Sequence, residues 1–242
     1  MRPELHFHAM GTTCSLFGDG DLLEGERWVR RIAARITRFD ESSELCELNA
    51  AGGRWVEISR ELEEMLRASL RAFELSHGLV NIAVLPSMLA IGYTRPLVAG
   101  PTAPALAEAH SAPYLHNVLQ LRRGSARLAH SARIDLGGIA KGWMADRLSE
   151  LLGGHVLVNL GGDLFARGEW PVGIAGETYL LRDVGVATSS TRKRRWGELH
   201  HVIDPRTGLP AASGVEEVSV VANTAFEAEV FAKTALIGGM LR

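Results

Sequence analysis

Two Gly-Gly turns, each carrying an aspartate, constrain this chain more than any other feature of it. The first is Ile134-Asp135-Leu136-Gly137-Gly138-Ile139-Ala140-Lys141-Gly142, which reads as a strand turning into a helix. The second is Val158-Asn159-Leu160-Gly161-Gly162-Asp163, a strand ending in the same pair. Paired glycines let a backbone approach a ligand closely, and a helix start presents unpaired N–H groups to an anion. Lys141 adds a movable positive charge, and Asp135 a carboxylate able to orient a ribose or an amine. Neither segment is a GxGxxG or Walker A loop, since no Ser or Thr follows Gly142. Taken alone, the first suits a tight structural turn as well as a phosphate site. Taken together, the two point to a shared ligand cleft.

The rest of the chain supplies helices first and strands later. Residues 5–17 alternate weakly and read as a strand broken by Met10-Gly11-Thr12. From Glu26 to Phe39, Trp28, Val29, Ile32, Ala33 and Ile36 recur at helical spacing. Ser59 reads as an N-cap before Leu62, Met65, Leu66, Leu70 and Phe73, with Gly78 as a stop. The proline-rich stretch 96–104 is the expected boundary between an N-terminal and a C-terminal lobe. Beyond it, Val156–Leu160, Val172–Ile174 and Val218–Val221 read as short strands, and helices are expected after Lys141 and Thr224. Thr224 and Glu227 have capping-box spacing before a helix running to about Ile237. Strands in blocks, without strict βαβ alternation, predict an α+β fold with a mixed sheet.

Composition excludes several partners. With 242 residues, 46% hydrophobic and 22% charged, the chain has the balance of a soluble globular protein. A net charge of −2 gives no reason to expect nucleic acid, and Arg192-Lys193-Arg194-Arg195 reads as a solvated loop or an acidic-partner contact. No apolar run reaches the length that spans a bilayer. The first eight residues, Met1 to His8, show neither a signal-peptide core nor a lipobox cysteine, so a cytoplasmic location is expected. Cys14 and Cys46 lack metal-ligand spacing and are expected to be reduced thiols.

A third segment is His200-His201-Val202-Ile203-Asp204-Pro205-Arg206-Thr207-Gly208, a turn by its chemistry with a histidine just before it. Such a histidine suits a general base as well as a structural role. In chain order, Ala9-Met10-Gly11-Thr12, the Asp135 to Gly142 segment, Asn159 to Asp163, Ala187-Thr188-Ser189-Ser190 and His201 to Gly208 closely resemble the FAD:protein FMN transferases, the ApbE family. Softer similarity, including Ser43 to Asn49, extends through nearly the whole chain.

The resemblance, not composition or periodicity, implies the reaction. It implies one ApbE-like domain over residues 1–242, with two lobes around a central FAD cleft and Mg²⁺ on the pyrophosphate. FMN would pass from FAD to a Ser or Thr hydroxyl of an acceptor flavoprotein bearing a flavinylation motif, releasing AMP. By position, Met10 and Asn81 would contact the flavin, Asp135 and Lys141 would hold the nucleotide, and the backbone at Ile203 would line the cleft. His201 would activate the acceptor hydroxyl, while the Gly138 carbonyl and Glu229 would face the metal. The chain departs from the family at Asn81, where an aspartate is usual, and at Glu229 and Lys233, where relatives place a metal-binding Asp and Thr. It also stops at Arg242, where relatives commonly continue. The same residues are compatible with an FAD pyrophosphatase, giving FMN and AMP, and with a flavin-binding module that has no turnover.

Overall fold

Alternation over residues 5–17 produces two strands rather than one, because both residues of the Met10-Gly11 loop adopt positive φ, 53° and 67°. Positive φ at both central positions is the type I′ geometry that matches the twist of a two-residue hairpin. The computed structural model describes residues 2–239. Met1 and the chain's last three residues, on which the readings of its two ends partly rest, lie outside them.

In chain order the elements are β1 (Glu4–Ala9), β2 (Thr12–Gly18), α1 (Leu22–Ile36), α2 (Glu44–Ala50), β3 (Val56–Glu57) and α3 (Arg60–Leu75). Next come α4 (Leu85–Ala90), α5 (Leu115–Val118), β4 (Leu119–Arg122), β5 (Ser125–Leu128) and α6 (Ala140–Leu152). The remainder holds β6 (Val156–Leu160), β7 (Asp163–Ile174), β8 (Glu177–Ser190), β9 (Arg195–Trp196), β10 (Leu199–His200), β11 (Glu217–Ala222) and α7 (Ala225–Gly238). No helix among the described residues is long and apolar enough to cross a membrane.

The chain divides into two compact units, each discontinuous in sequence. The first comprises residues 2–33, Ile139–Ser189 and Val218–Ala232, and the second Ala34–Gly138, Ser190–Glu217 and residues 233–239. The expected boundary at 96–104 therefore falls inside the second unit. Its prolines do form a loop, but Thr102 N donates to Gly92 O at 2.9 Å and Ala105 N to Ala90 O at 2.7 Å, which tie that loop to α4.

The first unit is built on a six-stranded sheet ordered β1-β2-β6-β7-β8-β11, and the first four of its pairings are antiparallel. Leu157, Leu164, Ala166, Trp170, Val172 and Val186 form one buried cluster on it. On α1 and α6, Trp28 and Trp143 stack at 6.3 Å. Close backbone approach is set by glycine. A Cβ on Gly185 would lie 2.1 Å from Ala225 N, and one on Gly142 would lie 2.6 Å from Ala225 O, so the start of α7 reaches both β8 and α6.

The second unit carries α2 to α5, the three-stranded sheet β3-β5-β4 and the β9–β10 pair. Ser59 caps α3 as expected, its Oγ accepting from Leu62 N at 3.3 Å. Leu62, Met65, Leu66 and Phe73 are buried along one stripe, each contributing about 1.5–3 kcal/mol by leaving water. Leu85, Met88, Ile91, Tyr93 and Ile203 form a further cluster.

Candidate active site

In the first unit, charged side chains gather at the start of α6. Its N-cap, Ile139, offers no side-chain acceptor, so the first-turn N–H groups need partners from elsewhere. Gly142 N donates to Glu229 Oε2 at 2.8 Å. Glu229 projects from α7 and is fully buried. Its Oε1 lies 3.6 Å from Lys141 Nζ, and that ammonium pairs closely with Asp163 Oδ2 at the head of β7. Lys141 therefore serves two buried carboxylates, and loss of a partner from a buried pair costs about 3–5 kcal/mol.

Two neighbouring features hold this cluster's elements. Gly162 N donates to Asn159 Oδ1 at 2.9 Å, closing the second Gly-Gly turn. A Cβ on Gly161, at φ 75°, would lie 2.3 Å from Thr12 Oγ1, so this turn is seated on the hairpin that carries Met10. Asp146, one turn along α6 from Gly142, accepts from Ala225 N at 2.7 Å and Phe226 N at 2.9 Å and so caps α7. Burial pushes its carboxyl up to about 6 against the pull of those two N–H groups. Nothing in the sequence spacing marked Asp146 or the acceptor role of Glu229, because both depend on how α6 meets α7. Thr224 had a signal: its Oγ1 accepts from Glu227 N at 3.0 Å, as the capping spacing predicted.

In the second unit the segment at Ile134 is not a strand. It runs irregularly, and side chains replace a ladder: Asn49 accepts from Ile134 N at 2.8 Å and donates to Ile134 O at 2.9 Å. Asp135 N donates to Ile82 O at 2.8 Å, which brings the Asn81 and Asp135 segments together. The Asp135 carboxylate accepts from Gly137 N at 2.8 Å and lies 2.9 Å from Arg38 Nε. Asn81 is anchored locally, accepting from Ala83 N and donating to Pro113 O, both at 2.9 Å. An ionised aspartate could accept but not donate, so the amide fits this position where a carboxylate would not.

Gly138 belongs to this unit, and a Cβ added to it would meet Lys233 Cε at 3.6 Å. His200 and His201 face different surroundings. His200 ends β10, is buried, and its Nε2 donates to Ala211 O at 3.1 Å; burial pushes its pKa down. His201 lies just outside the strand, half-buried, with its N–H donating to Arg194 O at 3.2 Å. Ile203 is buried and bridges Pro210 across the turn. Within that turn Asp204 holds Arg206 through the guanidinium Nε and Nη2, and Gly208 at φ 76° leaves room for His110 O, 2.1 Å from where a Cβ would stand. Arg38 went unmarked in the sequence, as one arginine among several near α1.

Chemically, the first unit offers an ammonium poised between carboxylates at a helix start, and the second a half-buried imidazole beside a rigid turn. The sequence model of the ApbE family matches residues 10–241. An FAD:protein FMN transferase of Treponema pallidum (strain Nichols) is 34% identical over 241 residues, covering 82% of this chain and 66% of that protein. One from Klebsiella pneumoniae (strain 342) is 26% identical, covering 88% and 73%. The chain thus spans about two thirds to three quarters of these relatives' lengths. Among solved structures, the ApbE protein of Thermotoga maritima superposes with a TM-score of 0.87 at 22% identity, over 98% of this chain and 87% of that one. The apo flavinyl transferase ApbE of Pseudomonas stutzeri gives 0.83 at 20% identity, over 98% and 84%. A family match across nearly the whole sequence, with an α+β fold shared with these structures, shows that this chain belongs to the ApbE family.

Proposed function

We propose that the chain transfers FMN from FAD to a Ser or Thr hydroxyl of an acceptor protein. The observation that carries this reading is the match to the ApbE family over residues 10–241, with relatives named FAD:protein FMN transferases. The acceptor oxygen attacks the flavin-side phosphorus, the bridging P–O bond breaks, and AMP leaves. His201 takes the hydroxyl proton, since a hydroxyl is a poor nucleophile until a neighbouring base removes it. Lys141 holds the phosphates, Asp135 the nucleotide, and Met10, Asn81 and the backbone at Ile203 the flavin.

The residues assigned to magnesium, Gly138 and Glu229, do not by themselves fit a divalent ion. Glu229 is fully buried with one oxygen on Gly142 N and the other near Lys141, while Lys233 carries its stem past Gly138. Among the described residues no group of three or more His, Cys, Asp or Glu side chains is arranged to hold a metal.

The test is incubation with FAD and a domain bearing a flavinylation motif, followed by intact mass. The expected result is an acceptor heavier by one FMN residue and one AMP released per transfer. FMN and AMP appearing free, with the acceptor unchanged, would make the enzyme a pyrophosphatase. FAD recovered intact would leave only a binding module.

A further inference from the structure

The four consecutive cations Arg192, Lys193, Arg194 and Arg195 do not share one environment. Arg192, Lys193 and Arg195 are exposed, whereas Arg194 is half-buried. Arg192 Nε donates to Glu216 Oε2 at 3.0 Å, and Arg195 pairs with Glu198 at 3.2 Å. The difference follows from the β9–β10 hairpin. Its two-residue turn has Gly197 at φ 56° as the first central residue, where a type II′ turn needs glycine. Trp196 then stands opposite Leu199, and Arg195 opposite His200. His201 N, donating to Arg194 O at 3.2 Å, carries this register one step further and sets Arg194 opposite His201. Directly opposed residues of an antiparallel pair project from the same face, with Cβ atoms about 4.5–5.5 Å apart.

The two faces of the hairpin differ. Arg195 and His200 line a cavity with Thr191 and Glu216. On the other face, Trp196 and Leu199 pack against the cluster that holds Tyr93 and Ile203, and Trp196 Nε1 donates to Ile91 O at 3.1 Å. Alternation along the strands puts Arg194 and His201 on this anchored face.

We infer that Arg194 binds the non-bridging oxygens of the phosphoryl group under attack, an inference that rests on the transferase reading with His201 as its base. In that reaction the acceptor oxygen bonds to the flavin-side phosphorus and its proton passes to the His201 imidazole. The bridging P–O bond breaks, and its electrons leave on AMP. A base takes a proton over about 2.6–3.2 Å, and the oxygen so freed attacks from about 3–3.5 Å. The reacting phosphorus therefore lies near the side chain that shares the face of His201. Charge spreads over the equatorial oxygens as the bond to the leaving group loosens, and a planar guanidinium fork matches two of them.

Transfer to a domain bearing a flavinylation motif, followed by intact mass, tests this in Arg194→Met, Arg194→Lys and Arg194→Ala. Lys193→Met, on the opposite face, is the control and should transfer at the wild-type rate. Arg194→Met should lower kcat by about 10²–10³-fold, as loss of a donor to a developing oxyanion does, and should weaken FAD binding several-fold. Riboflavin, which has no phosphate, should bind every variant as it binds the wild type, measured by fluorescence quenching. Arg194→Lys keeps the charge without the fork and should recover part of the rate. Guanidinium chloride below denaturing concentration should accelerate Arg194→Ala, and sodium chloride at equal ionic strength should not. If Arg194→Met proves unfolded by circular dichroism, the lysine variant and the rescued alanine variant decide. Wild-type transfer by Arg194→Met would overturn the inference. So would riboflavin binding lost along with transfer, which marks a packing defect, or the two salts acting alike on Arg194→Ala. A wild type that leaves the acceptor unlabelled would refute the transferase reading instead. Arg194 would then be judged on binding: FAD weakened in Arg194→Met with riboflavin unchanged upholds its phosphate contact, and FAD held at wild-type affinity overturns it.

Discussion

At the scale of single residues, His201 and His200 separate cleanly. His200 is buried and committed to Ala211 O, whereas His201 is half-buried beside the turn. His201→Ala is therefore expected to slow FMN transfer by about 10²–10⁴-fold while leaving FAD affinity unchanged. Single-turnover transfer and fluorescence quenching on the same preparation check both halves. A silent His201→Ala beside an inactive but folded His200→Ala would reverse the assignment. Such candidates stand out in the sequence because they sit in contiguous motifs: Met10, Asp135, Lys141 and His201 each stand in a run whose chemistry is local. Arg38 was not legible. Its burial comes from Phe39 and Tyr93 closing over it, and its charge partner lies nearly a hundred residues away. Asn81 was legible as a departure, but the reason for the amide needed Pro113 O, a loop contact that no spacing reveals.

Among the elements, the crossing of α6 and α7 is the most exacting. Gly142→Ala would place a Cβ 2.6 Å from Ala225 O and 2.9 Å from Glu229 Oε2, backbone and buried carboxylate respectively. Overpacking of this kind costs about 1–3 kcal/mol, and urea denaturation should show it as a lowered midpoint with unchanged m. Asp146 adds a pH dependence to the same crossing. Its carboxyl is raised from 3.8 to about 6 in the folded state, so the native protein binds more protons than the unfolded chain between those values. The stability it contributes is complete below about 4 and is lost as pH rises through about 6. Asp146→Ala should flatten stability against pH in that window, with its largest cost below about pH 4, where the protonated carboxyl's contribution is complete. A pH profile of the mutant parallel to wild type would contradict this assignment. Helix existence here was readable from periodicity and caps: α1, α3 and α7 all fall where expected, although α1 begins at Leu22, four residues before the predicted Glu26. The supposed strand at Ile134 was misread because an apolar residue next to a Gly-Gly pair looks the same whether its backbone pairs with a strand or with the Asn49 side chain.

For the whole molecule, the sequence foretold the α+β class but not the partition of the chain. The sheet unit recruits the first residues, a middle segment and part of α7, a division set by long-range packing rather than by any linker. The charges at the proposed metal positions lead to a further expectation. Magnesium titrated without FAD should bind weakly, because Lys141 already neutralises part of the Asp163 and Glu229 charge. With FAD present, phosphate oxygens add hard ligands and binding should tighten. Tight calorimetric binding without FAD, abolished in Glu229→Ala, would instead establish an all-protein site. Finally, the two thiols are unequal in a way that can be used. Cys14 is fully buried in the sheet and its thiol is pushed up to about 11, so it is a poor nucleophile near neutrality. Cys46 is partly exposed and lines a cavity of the second unit that Arg38 and Arg133 also line. A thiol-reactive fluorophore applied to the unmodified sequence should thus label one position alone, turning Cys46 into a built-in optical reporter of whatever enters that cavity.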